Sequence, residues 1–287
     1  MSSYVDVILR NENPTKSKIE TFHYQVIGNS QTRNGTTFIE NDYTTLIGYN
    51  EIQKDSRRTV LYKLEKINQT CSGLIFQFAE NFSQITSELE LRLNEGFEVE
   101  EILNHKNILD RWNNEKKRLK DQFKIIPNVN QLLDNYEKSI HDEDKLRNSL
   151  FYVSLTQLFF PRVKHLLNEI EGVKKYERNR DLHGFYFGLK IPIIEELFIK
   201  KIENNQIVAT IEGRLDVSKI KETFLQAFKM LYGNDTEQKD ISFTSRLQII
   251  YDENLNYKEG SLDEFFEVKG VHFKKDKISF TKLVKDE

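Results

Sequence analysis

Apolar side chains recur at every second position through the first hundred residues. Phe22, Tyr24 and Val26 alternate with Thr21, His23 and Gln25. Val5, Val7 and Leu9 alternate with Asp6 and Ile8, and Val60, Tyr62 and Leu64 stand against Lys63 and Glu65. Leu89, Leu91 and Leu93 are set against Glu88, Glu90 and Arg92, and Leu74, Phe76 and Phe78 carry the same spacing. A period of two with one charged side predicts antiparallel strands that are wet on one face. Asn94-Glu95-Gly96 then reads as a hairpin turn into Phe97 and Val99, with Gly96 supplying a positive φ.

From about residue 107 the period lengthens. Ile108, Trp112, Leu119 and Phe123 form one helical stripe, and after Pro127 a second stripe runs through Val129, Leu132, Leu133, Tyr136 and Ile140. Asp142 is placed to cap a third helix, with Glu143 and Asp144 in a first turn that favours negative charge. That helix is expected to continue through Leu146, Leu150, Val153, Leu155 and Phe159, apolar almost all round and therefore buried. Pro161 ends it, and Val163, Leu166, Leu167 and Ile170 suggest one more helical stretch.

Gly172 to Gly184 reads as a polar connector, after which strand spacing returns in Ile207, Ala209, Ile211 and Leu215. A lone helix follows, capped by Ser218, striped by Ile220, Phe224, Ala227, Phe228 and Leu231, and ended by Gly233. Ile241 to Tyr251, Phe266 with Val268, and Ile278 with Phe280 complete the strands, with turns at Asn204-Asn205 and Asp252-Glu253-Asn254. The expected fold is α+β: curved antiparallel sheets in N-terminal (1–106) and C-terminal (172–287) zones, packed around a central helical insertion (107–171). With only four prolines and no Gly/Ser-rich linker, the three zones are expected to form one compact unit. The order sheet, helices, sheet, helix permits an internal duplication, but no residue-level self-similarity accompanies it.

Composition narrows the function classes. Forty-five acids and 42 bases give a net charge of −3, without the basic excess of a dedicated nucleic-acid binder. No apolar run approaches the ~18 residues of a membrane span, and the first residues show no basic region followed by an apolar stretch, so no export signal is expected. A single cysteine, Cys71, rules out an internal disulfide and fits a reducing, cytoplasmic location.

Candidate chemistry is sparse. Cys71 lies in Asn-Gln-Thr-Cys-Ser-Gly, without a catalytic signature, and reads as a small side chain near a strand start. No G-x-S-x-G elbow or phosphate-binding glycine loop occurs, and none of the six histidines lies near another His or Cys at zinc spacing. Asp142-Glu143-Asp144 lacks the register of a calcium loop, and Glu98, Glu100 and Glu101 straddle both faces of their strand. The run Glu115–Lys120 reads as the solvated face of a helix whose other side holds Trp112 and Phe123. Tyr43, Tyr49 and Tyr257 sit among polar neighbours and are expected at the surface, where tyrosines serve interfaces. The one dense polar cluster is Arg178, Arg180, Asp181 and His183, in which two guanidiniums could hold a carboxylate or phosphate while Asp181 orients the imidazole. A solvated connector explains the same residues more simply.

Three functions fit these observations. The first is a non-catalytic cytoplasmic protein-binding or assembly and accessory protein, with a protein partner and neither nucleic acid nor membrane. The second is a carrier of an apolar small ligand in a sheet–helix cavity. The third is a hydrolase-type enzyme with a site built from distant residues around His183. The lack of any nucleophile context or local metal cluster points away from catalysis, and no cofactor or metal is expected.

Overall fold

The computed structural model describes residues 21–54, 57–65, 67–150, 154–167, 172–186, 189–232 and 237–284. The strand read at Val5–Leu9 lies outside them. The fold is mixed α+β, dominated by one antiparallel sheet of twelve strands. The strands are β1 (Phe22–Asn34), β2 (Thr37–Lys54), β3 (Arg57–Leu64), β4 (Asn68–Gln69), β5 (Glu88–Leu93) and β6 (Val99–Ile102), followed by β7 (Val173–Tyr186), β8 (Leu189–Lys201), β9 (Ile207–Leu215), β10 (Ile241–Tyr251), β11 (Tyr257–Val268) and β12 (His272–Lys282). Their spatial order is β6-β5-β3-β2-β1-β12-β11-β10-β9-β8-β7, with β4 pairing β2. The N- and C-terminal strand zones are therefore one sheet, joined where β1 pairs β12 in the register Val26↔Phe280.

Among the described residues six helical segments interrupt the strands: α1 (Leu74–Ile85), α2 (His105–Gln122), α3 (Val129–His141), α4 (Glu143–Leu150), α5 (Ser154–Phe159) and α6 (Glu222–Tyr232). In α2 the stripe forms as the 3.6-residue period requires, and Ile108, Trp112 and Leu119 are fully buried, with Phe123 just past its end. Asp142 caps α4, its Oδ1 accepting the Lys145 amide at 3.0 Å. Every residue of α5 from Leu155 to Phe159 is buried, and the Phe159 ring is surrounded by Tyr24, Tyr49, Tyr62, Tyr257 and Phe280.

The sheet curls, because α4 packs against both of its edge strands, β6 and β7. Glu143 of α4 accepts the Ile102 amide at 3.0 Å, and Arg147 donates to the Glu100 carbonyl. These side chains satisfy backbone groups that an open edge would leave unpaired.

Several expectations are corrected. Leu74, Phe76 and Phe78 belong to α1, not to a strand. The spacing Leu74, Phe78, Phe82, Ile85 is equally a helical stripe, and it is this stripe that packs on the core. In the β5–β6 turn the left-handed residue is Phe97 (φ 60°), held beneath the Arg58 guanidinium 3.7 Å from its ring centroid. The third helix is seen in two pieces, α4 and α5, with residues 151–153 outside the described residues, and after Pro161 the described residues show only a 3₁₀ turn, Lys164–Leu166. Gly172–Gly184 is no connector, since β7 occupies it. Ser218 does not cap α6; its hydroxyl donates to Asp216 at 2.6 Å within a 3₁₀ turn, and the helix begins at Glu222. Tyr49 and Tyr257 are 3% and 2% exposed, and Tyr43 packs against the core. Cys71 lies between β4 and α1, its thiol 3.1 Å from the Glu40 carbonyl oxygen. Among the described residues no helix is long and apolar enough to cross a membrane.

Candidate functional site

The inward face of the sheet carries two apolar clusters. One lies under α1–α5. The other, under α6, contains Ile193, Leu215, Phe224, Phe243 and Phe266. A single register row of non-apolar residues separates them. Starting on β2 it runs Asn41, Ser30, Asp276, Glu264, Ser245, Gly213, Glu195 and Arg178, each opposite the next on the neighbouring strand. Leu197, Ile211, Leu247 and Leu262 border it on one side, and Ile193, Leu215, Phe243 and Phe266 on the other. Ser30 donates to Asp276 at 2.6 Å, and Lys274 lies 3.0 Å from the same carboxylate. At Gly213 a Cβ would meet the Ser245 hydroxyl at 2.3 Å, so a side chain there would require Ser245 to rotate away.

The β7–β8 end of this row holds the densest chemistry. Glu195 is 2% exposed and lies between two guanidiniums, with Arg178 Nε and Arg180 Nη2 each 2.6 Å from its oxygens. Burial alone would raise its carboxyl pKa. The charges of Arg180 and Arg178 and their hydrogen bonds outweigh that, and hold it below the usual carboxylate range. Arg178 also donates to the carbonyls of Arg162 (3.2 Å) and Pro161 (3.3 Å), and Arg180 to Gln157 Oε1 at 3.4 Å. Glu98 reaches the Arg162 guanidinium at 3.3 Å. The segment following α5 is thus stitched to β7 on one side and to the β5–β6 turn on the other.

Two residues beyond Arg162, Lys164 enters a second buried site. Its Nζ lies 2.6 Å from Glu51 and within 4.8, 5.8 and 5.9 Å of the Tyr257, Phe97 and Tyr49 ring centroids. Burial lowers the pKa of this ammonium, and the Glu51 carboxylate opposes that shift. Glu51 also pairs with Arg58 at 3.0 Å, and Tyr257 donates to the Phe159 carbonyl at 2.6 Å.

Of the four residues singled out from sequence, the structure joins Arg178 and Arg180 through Glu195. Asp181 does not join them, because it sits on the other face of β7 and is exposed. His183 lies where the β7 register shifts between Leu182 and Tyr186. Sequence reasoning missed Glu195, Glu51, Lys164 and Gln157. The readable signal for Glu195 was its position in phase with Ile193 and Leu197, where strand alternation demands an inward side chain. The basic run of α2 is a surface network: Lys116 pairs with Glu137, and Arg118 with Glu115 and Asn81.

Among the described residues, two small spaces lie between the helices and the sheet. One of about 20 Å³ is lined by Gln157, Arg178, Arg180 and Glu195, and one of about 10 Å³ by Tyr49, Phe97, Lys164 and Tyr257. A wider, open depression of about 650 Å³ lies over β1, β2, β11 and β12. Its rim residues Ile27, Asn29, Asp42, Thr44, Lys277 and Ser279 all share the outward face.

No protein-family model matches the chain. It is 27% identical over 206 residues to Protein TIC 214 of Staurastrum punctulatum, a match covering 67% of this chain and 13% of that protein. A solved structure describing lipid–protein interactions in lipovitellin aligns with 92% of this chain and 25% of its own at a TM-score of 0.47 and 10% identity.

Proposed function

We propose that this polypeptide is a non-catalytic binding or assembly module that presents the outward face of its sheet to a protein partner, with α2–α5 as a central insertion that stiffens the sheet from within. The observation that carries the reading is where the ionisable groups stand. The buried charges Glu195, Lys164 and Asp276 are tied to neighbouring side chains, and the spaces beside Glu195 and Lys164 hold about one water. Catalysis needs charged groups free to meet a substrate, and a carrier of an apolar ligand needs a cavity of some hundreds of Å³. The open depression instead offers an accessible, largely apolar surface across four adjacent strands, with the exposed Ile27 at its rim.

The test is photocrosslinking in the producing cells, with a reactive amino acid placed at Ile27 or Ser279, and at Lys117 on the exposed face of α2 as a control. Discrete crosslinked species are expected from the two sheet positions and not from the helix. The same pattern from all three positions, or none from any, would refute the assignment.

A further inference from the structure

We propose that the space enclosed by α5, the Pro161–Arg162 segment and the β7–β8 end of the polar row binds one small monovalent anion of chloride size. This inference stands on the interior of the sheet and is independent of any partner on its outward face.

Two donors face this space without an acceptor. Arg180 Nε and Gln157 Nε2 are both buried and find no hydrogen-bond partner. The amide cannot relieve this by turning over: Gln157 Oε1 already accepts from Arg180 Nη2, and a flip would set two donors against each other. Both orphans are N–H groups, so what the site lacks is an acceptor. A buried donor left unmade costs about 1–3 kcal/mol, so two together are a strong demand.

The electrostatics points the same way. The guanidiniums of Arg162, Arg178 and Arg180 all line this space, Arg178 and Arg180 sharing Glu195 while Arg162 pairs with Glu98. The remaining walls (Phe160, Ile211, Leu247 and Leu262) are apolar, and Ser245 adds a hydroxyl. Glu264, the next charge along the row, does not line the space. In such surroundings charge is poorly screened, so an anion beside three guanidiniums is favoured more than at the surface.

Size sets the class of ligand. About 20 Å³ accommodates roughly one water-sized sphere, which excludes phosphate, carboxylates and nucleotides. A halide is a single atom not much larger than water and accepts from several donors at once. Bound there, it would tie α5 to β7 through Gln157 and Arg180, at an edge of the sheet.

The direct test is diffraction from crystals of the intact chain grown in sodium bromide, with data collected at the bromine edge. An anomalous peak within reach of Arg180 Nε and Gln157 Nε2 is expected. In solution, melting temperature should rise by a few degrees with chloride or bromide relative to gluconate at equal ionic strength, and should saturate. Gln157→Glu places a carboxylate among the same donors and should abolish that halide dependence. A site showing only water, bromide found only elsewhere, or equal melting in halide and gluconate would overturn the proposal. The diffraction result decides the matter even if the variant does not fold.

Discussion

Replacing Glu195 with glutamine probes the β7–β8 knot directly. The substitution keeps the volume and one acceptor oxygen but removes the charge between two guanidiniums that lie 2.6 Å away. Removing one partner of a buried pair costs about 3–5 kcal/mol, because the other charge is left uncompensated. Here the side chains of Arg178 and Arg180 keep 27% and 20% of their exposure, and Arg178 retains the carbonyls of Pro161 and Arg162. The expected loss is therefore at the lower end, ~3 kcal/mol, or about a hundredfold in the folding equilibrium. Urea unfolding in a halide-free buffer measures it, with an unchanged m-value required for the comparison. The triple replacement Glu195→Leu, Arg178→Met, Arg180→Met removes the charges together and should cost less than Glu195→Gln alone, its remaining loss coming from the unpaired Pro161 and Arg162 carbonyls. A loss below ~1 kcal/mol for Glu195→Gln would show that solvent, not the carboxylate, satisfies the two arginines.

Phe159→Ala removes a fully buried ring whose centroid lies 4.8–6.0 Å from those of Tyr24, Tyr49, Tyr62, Tyr257 and Phe280. It should cost ~3–5 kcal/mol in chemical denaturation, and a loss under ~1 kcal/mol would mean that α5 is not the core of the curl. His272 is 5% exposed, and burial together with Lys274 lowers its pKa from 6.5 to about 4. The unfolded chain thus takes up a proton at higher pH than the fold does, and stability falls as pH drops from about 6.5 to about 4. Allowing for screening, the effect is of order 1–2 kcal/mol. His272→Phe should flatten that part of the stability–pH curve, and an unchanged slope would count against it.

Most strands were readable because their inward positions are apolar. Tyr24 and Val26 alternate with His23 and Gln25, and Leu89, Leu91 and Leu93 with Glu88, Glu90 and Arg92, and the structure buries all five apolar side chains. Strand β7 escaped recognition for the opposite reason. Its inward positions include Arg178 and Arg180, so alternation of chemistry disappears although alternation of direction remains. The same holds for the polar row. Ser245 lies between Phe243 and Leu247, Glu264 between Leu262 and Phe266, and Gly213 between Ile211 and Leu215, each in phase with apolar neighbours. Each irregularity is visible on its strand. Their alignment is not, because register between strands is set by pairing across the sheet. Helix α1 was misread because a short apolar run satisfies both periods, and only packing against α2 distinguishes them.

What the sequence determined by itself was local: where most of the strands and helices lie, and that apolar bulk exists to bury their inner faces. Periodicity in one stretch of chain carries that information, because secondary structure repeats over a few residues. The tertiary structure decided that twelve strands form one sheet and that α4 spans its two edges. It also set Glu51 beside Lys164, and Glu195 between Arg178 and Arg180. Those outcomes depend on contacts between residues as far apart as positions 51 and 164. The low-dielectric surroundings that make such charges pair arise only once the chain has closed around them.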